Sequence, residues 1–182
     1  MNRILNGIRP LDYLLAGLMT AGGAFLMYEN IAMGPDADLP HPLSTQTWLM
    51  LPAFLLVTVP ILWRRRNIVA VVGVTAVATV AHVLAFGWIT RCGVEIPLTV
   101  ALAYAVGRFA GAGRNHVIGL AGIVVAQLVM LVRDASIDTV AGALPLAVPL
   151  AALFYGIGLF VQNRATKKQA AAGAPAIERV AA

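Results

Sequence analysis

Charge is what this sequence has least of. Asp, Glu, Lys and Arg make up 12% of its 182 residues, while 60% are hydrophobic and the mean hydropathy is +0.84. Soluble domains carry about 25% charged residues, so this composition excludes a water-covered surface. Cysteine is nearly absent. Cys92, in the short segment Ile89–Glu95, is alone, which excludes an intrachain disulfide and a cysteine metal cluster. A disulfide between two copies and a free, inert thiol are the two readings left. The sequence lacks a GxxxxGK[ST] phosphate loop, HExxH, GxSxG and CxxC. Its histidines are scattered at 41, 82 and 116, and no pair of intramembrane carboxylates is available for proton or sodium coupling. No enzymatic activity and no cofactor are therefore expected of this chain. Paired Gly/Pro breaks in matching halves are missing too, so a transporter built on inverted repeats is poorly supported.

What is present is apolar length. Six stretches read as membrane spans: Leu11–Tyr28, Trp48–Trp63, Ile68–Trp88, Pro97–Val106, Val117–Val132 and Val140–Val161. The cations occupy every second gap. One set of flanks holds Arg3, Arg9, Arg64, Arg65, Arg66, Arg108, Arg114, Arg164, Lys167, Lys168 and Arg179; the other holds only Arg91 and Arg133. Cytoplasmic flanks are enriched in Lys and Arg, which predicts both termini inside. The expected fold is thus all-α, a polytopic membrane helix bundle with six spans in the cell membrane. The weakest segment is Pro97–Val106, which crosses only if its helix runs from about Gly93 to Ala110, with Glu95 and Arg108 snorkelling to opposite surfaces. The alternative is five spans with a re-entrant fourth segment. The pI near 10 does not point to nucleic acid, because the bases lie in separate short flanks and form no continuous face. Arg64, Arg65, Arg66, Lys167 and Lys168 read as topology determinants that meet anionic headgroups.

The chain divides into a membrane domain, residues 1–162, and a basic, Ala-rich cytoplasmic tail, residues 163–182, interrupted at Gly173–Pro175. The longest outer loop, Glu29–Gln46, has room to fold over the bundle. Pro52 and Pro60 in the second helix, and Pro145 and Pro149 in the sixth, each remove a helix hydrogen bond. They are hinge candidates, with a packing kink as the other reading.

Thr75, Ala78, Thr79, His82 and Ala85 recur at three- and four-residue steps and share one face of the third helix. Small and hydroxyl residues let membrane helices approach and bond, so His82 should face the bundle interior, roughly 9 Å below the outer boundary at 1.5 Å per residue. Gln127 sits at similar depth, and a His82–Gln127 hydrogen bond is expected. A buried imidazole there is either a functional group or a neutral ring satisfied by a neighbour. Asp36, Asp38 and His41 are candidate outer-loop ligands, which Asp134 and Asp138 join only if the loops meet; a solvated loop is the competing reading, and no metal is expected. Gly107-Arg-Phe-Ala-Gly111 matches the GxxxG close-packing motif, or marks a flexible helix end.

Several stretches resemble the N-terminal membrane domain of actinobacterial DesK-like sensor histidine kinases. They are Leu11-Asp12-Tyr13-Leu14-Leu15-Ala16, the turn Arg64-Arg65-Arg66-Asn67 into Ile68-Val69-Ala70-Val71, and Pro97-Leu98 followed by Ala103-Tyr104-Ala105-Val106-Gly107-Arg108. Ile177-Glu178-Arg179-Val180-Ala181-Ala182 resembles the start of that family's dimerisation helix. The resemblance implies the sensory input module of a two-component system, with the bilayer, a second copy and a histidine kinase core or response-regulator system as partners. The phosphoacceptor box and ATP-binding domain are missing from these residues, so no catalytic residue carries over. The expectation is the sensor half of a split or truncated kinase, or a stand-alone relative. A small transporter or channel and an accessory subunit are the competing functions.

Overall fold

The computed structural model describes residues 7–34 and 38–173. Six helices follow one another: α1 (Pro10–Ala32), α2 (Met50–Thr58), α3 (Ile68–Phe86), α4 (Cys92–Phe109), α5 (Gly113–Val132) and α6 (Val140–Gly173). No β-strand occurs among the described residues, and one isolated bridge pairs Ile89 with Asp134. Five helices, all but α2, are long and apolar enough to cross a membrane. The fourth segment meets the condition set for crossing: α4 is a full helix through Pro97, from Cys92 to Phe109. The short segment is the second. Its α-helix gives way at Val59–Pro60 to a 3-10 stretch, Val59–Trp63, where Pro60 supplies no N–H to continue the α ladder. Pro52 lies in the first turn of α2, where the missing N–H costs nothing. Pro145 and Pro149 are accommodated inside an unbroken α6.

The bundle is organised around α4, which contacts α1, α3, α5 and α6. Leu98, Leu102, Ala103, Ala105 and Val106 on it are fully buried. Side chains such as Leu56, Val77, Leu84, Val117, Leu146 and Phe160 stand outward on the flanks of the bundle, an apolar girdle that water would not tolerate. Between helices in lipid, apolar burial drives little association, so close packing of small residues and polar bonds must hold the bundle together. Both are visible. Gly107 of α4 lies against the Tyr155 carbonyl and Gly158 of α6; a Cβ on Gly107 would stand 2.9 Å from the Leu159 amide nitrogen. Gly158 lies reciprocally against the Tyr104 carbonyl. Only half of the GxxxG pattern does this work, because Gly111, at φ +71°, belongs to the α4–α5 turn.

Candidate functional site

The end of the bundle where α4 begins is built on two buried charges. Asp134, on the α5–α6 connection, is fully buried. Its Oδ2 accepts from the amides of Arg91 and Cys92, both at 2.7 Å, which caps the N-terminus of α4. Its Oδ1 accepts from the Ser136 amide at 3.0 Å and hydroxyl at 2.6 Å. Arg91 is equally buried and does the converse. Its guanidinium donates to the Gly87 carbonyl at 2.9 Å, where α3 ends, and to the Arg133 carbonyl at 2.9 Å, where α5 ends. A cation thus closes two helix C-termini and an anion one N-terminus, each at the dipole end that favours it. Burial lowers the Arg91 guanidinium to about 10, against the pull of Glu95 and Asp134, so it remains cationic at neutral pH. Asn30, from the last turn of α1, joins the same layer. Its Nδ2 donates to the Thr90 carbonyl at 3.0 Å, while its Oδ1 accepts from the Thr90 amide at 2.8 Å and hydroxyl at 2.9 Å.

The polar stripe of α3 lies directly beneath. Thr75, Thr79 and His82 are buried, as their spacing predicts, whereas Ala85 is exposed. The expected His82–Gln127 bond is not formed. His82 Nδ1 accepts from Arg91 Nε at 3.2 Å. A guanidinium only donates, so the imidazole proton belongs on Nε2. That atom is buried without a hydrogen-bond partner among the described residues. The rings of Phe54 and Phe86 flank it, with centroids at 5.2 and 4.7 Å. Gln127 turns instead toward α4 and α6, donating to Thr99 Oγ1 at 3.2 Å and the Ala147 carbonyl at 3.4 Å. Thr75 donates to the Val57 carbonyl at 3.4 Å. Glu95 does not snorkel outward. It is buried in the first turn of α4, where it accepts from Thr79 at 3.2 Å.

The loop after α1 covers this end, as its length allows. The His41 amide donates to the Ala135 carbonyl at 3.2 Å, and its ring lies 4.0 Å from that of Trp88. Ser44 and Trp88 exchange two hydrogen bonds, at 2.8 and 2.9 Å. Gly87, at φ +64°, makes this approach possible, since a Cβ there would stand 2.7 Å from Ser44 Oγ. The candidate outer ligands do not converge: Asp36 lies outside the described residues, Asp38 and Asp138 are exposed, and Asp134 faces inward onto amides. No group of three His, Cys, Asp or Glu able to hold a metal occurs among the described residues. Cys92, half-buried at the start of α4, has its sulfur 3.2 Å from Ser136 Oγ.

The opposite end, where α1 begins, has its own buried ion cluster. Asp12 is fully buried and accepts from Arg64 Nε at 2.9 Å and from Arg65 Nε at 2.7 Å, with the Arg9 amide at 2.9 Å. Arg64, with only 9% of its surface exposed, is therefore a strut between α1 and the α2–α3 turn rather than an open headgroup contact. Lys167 and Lys168 are exposed on α6, beyond Gln162, and Gln162 accepts from Arg108 of α4. The segment Ile177–Ala182 lies outside the described residues.

Sequence reasoning missed Arg91, Asn30, Thr90 and Thr99 as partners. The available signal for Arg91 was its rarity, as one of two bases on the acidic side of the chain. Fold and composition together define the class: an all-helical, multi-pass membrane protein with a polar layer buried at one end. No family model, no curated protein and no solved structure matches the chain.

Proposed function

We propose that this chain is a sensory input module of the plasma membrane. In this reading both termini are cytoplasmic, and a change in helix packing is relayed through α6 to a cytoplasmic helical partner of the histidine-kinase kind. The observation that carries the reading is the length of α6. It runs unbroken from Val140 to Gly173, through the point at Gln162 where apolar sequence gives way to polar. At 1.5 Å per residue this helix is about 51 Å long, against roughly 30 Å of hydrocarbon. Its polar third therefore projects as a stalk rigidly continuous with the packed part. The packed part meets α4 at Gly107 and Gly158, so any shift between α4 and α6 moves the stalk as a body. A packing difference of about 1.4 kcal/mol changes a two-state ratio tenfold, which a few interhelical bonds supply. A channel is less well supported, because α4 fills the middle of the bundle with apolar side chains.

The test joins residues 1–173 to a histidine-kinase core and inserts one to seven residues after Arg164. Kinase output should rise and fall with a period near the 3.6 residues of a helical turn. Output that is constant across the series rejects the relay.

A further inference from the structure

The groove at the inner end carries a ligand chemistry of its own. It has a volume of about 490 Å³ and lies between α1, the α2–α3 turn and α4. Its two halves differ. Leu11, Leu14 and Leu18 line one side, all more than half exposed. Arg64, Arg65 and Arg108 line the other, with Tyr104 and Phe109 between. Two of these guanidinium groups share one support: Arg65 lies 5.0 Å and Arg108 5.5 Å from the centroid of the Phe109 ring. Asp12 neutralises one cation only, since Arg64 and Arg65 both lean on its single carboxylate. Arg108 has Gln162, a neutral amide, as its partner. Three cations against one buried carboxylate leave two positive charges at the mouth of a leucine-lined slot.

We infer that this groove binds one anionic glycerophospholipid, with its phosphate held by Arg65 and Arg108 and an acyl chain laid along Leu11, Leu14 and Leu18. Paired guanidinium groups present several fixed donors to phosphate oxygens, and their two uncompensated charges favour a headgroup of net negative charge over a zwitterionic one, whose ammonium would bring a further cation to the same place. An open row of leucines beside them suits a molecule whose anion and hydrocarbon are joined at that spacing. The site touches the stalk, because Arg108 bridges the groove to Gln162 on α6. The inference rests on the membrane reading of the chain and supplies an input for the relay proposed above, without depending on a kinase partner.

The experiment uses the full chain in detergent micelles, with bound lipid counted by native mass spectrometry during titration with phosphatidylglycerol, phosphatidylcholine of the same acyl chains, or inorganic phosphate. One phosphatidylglycerol should be retained per chain, at least tenfold more tightly than phosphatidylcholine. Arg108→Gln should weaken it about tenfold. Leu14→Trp, which fills the apolar arm and leaves every charge in place, should weaken it comparably and serves if the first variant does not fold. Arg114→Gln, an exposed inner base outside the groove, should leave binding unchanged. Equal retention of the two lipids overturns the inference. So does an equal loss in Arg114→Gln, which would indicate only a diffuse basic surface, and so does displacement by stoichiometric inorganic phosphate, which would indicate a free-anion site. Binding is read on the isolated chain, so a silent kinase chimera leaves this result standing, and a lack of lipid selectivity leaves the relay standing.

Discussion

Arg91 shows how one buried charge can organise three helices. Its guanidinium reaches His82 and the carbonyls that end α3 and α5, while its own amide rests on Asp134. Replacing it with methionine keeps the length and removes every donor, leaving two helix-end carbonyls and a buried imidazole nitrogen unpaired. Arg91→Met should cost about 3 kcal/mol, read as a lower thermal midpoint in detergent. Arg91→Lys should recover only part of that, because one ammonium cannot serve acceptors arranged for a planar fork. His82 tests the same bond from its other end. His82→Gln keeps an acceptor for Arg91 Nε, whereas His82→Leu keeps none, so the leucine variant should be the less stable by roughly 1 kcal/mol. The inward direction of His82 is legible in the spacing of Thr75, Thr79 and His82, because helix periodicity alone decides it. Its partner is not legible. Gln127 matches His82 in depth, but depth says nothing of azimuth, and Arg91 reaches the imidazole from a loop whose path no local pattern specifies. Asp134 was misread for a related reason. An aspartate in an outer loop looks solvated until the α4 amides that it caps are brought to it.

Among the elements, the contact of α4 with α6 brings backbone against backbone, and it depends on hydrogen atoms where side chains would otherwise stand. Gly107→Ala and Gly158→Ala each place a methyl group against the facing backbone, which cannot retreat as a flexible side chain would. Each should destabilise the fold by about 1–3 kcal/mol. Gly156→Ala, two residues away on α6, meets nothing within 4 Å and should be neutral or gain up to about 1 kcal/mol from helix propensity. Thermal unfolding of the three variants in one detergent separates close packing from helix stiffness; equal effects would show that the glycine pair carries no packing. The GxxxG pattern was legible in the sequence, but its second glycine was not a packing residue. A four-residue spacing places both glycines on one face only while the helix continues, and α4 ends at Phe109. The span lengths were misjudged in a complementary way. Hydropathy alone made Pro97–Val106 look short, because Glu95 and Arg108 cut the apolar run at each end, yet both are accommodated along α4 by Thr79 and Gln162. The 3-10 winding after Val59 could be anticipated only from Pro60.

At the scale of the whole molecule, the path of α2 decides how many times the chain crosses. Nine α-helical residues and five in 3-10 geometry rise roughly 23 Å, short of about 30 Å of hydrocarbon. The residues beyond each end make up the difference. Trp48, just before α2, has its ring 6.3 Å from that of Tyr28 near the end of α1, and Ser44 is bonded to Trp88 just past the end of α3. At the other end, Arg64 and Arg65 meet Asp12 in the first turn of α1. The segment from Trp48 to Arg65 therefore matches the full height of the helices beside it, with interfacial tryptophans at 48 and 63, and a thinned bilayer or snorkelling arginines can absorb what remains. On this geometry we expect six crossings. Reporter fusions after Asp38 and Ser136 should be active outside the cell, and fusions after Asn67 and Gly173 inside. Removing the positive charge of Arg114, Lys167 and Lys168 together, all exposed, should raise the fraction of inverted chains without unfolding them. An Asn67 fusion active outside would make α2 re-entrant and leave five spans. The two termini would then lie on opposite sides, and α6 could no longer deliver its stalk to the side that holds Arg9.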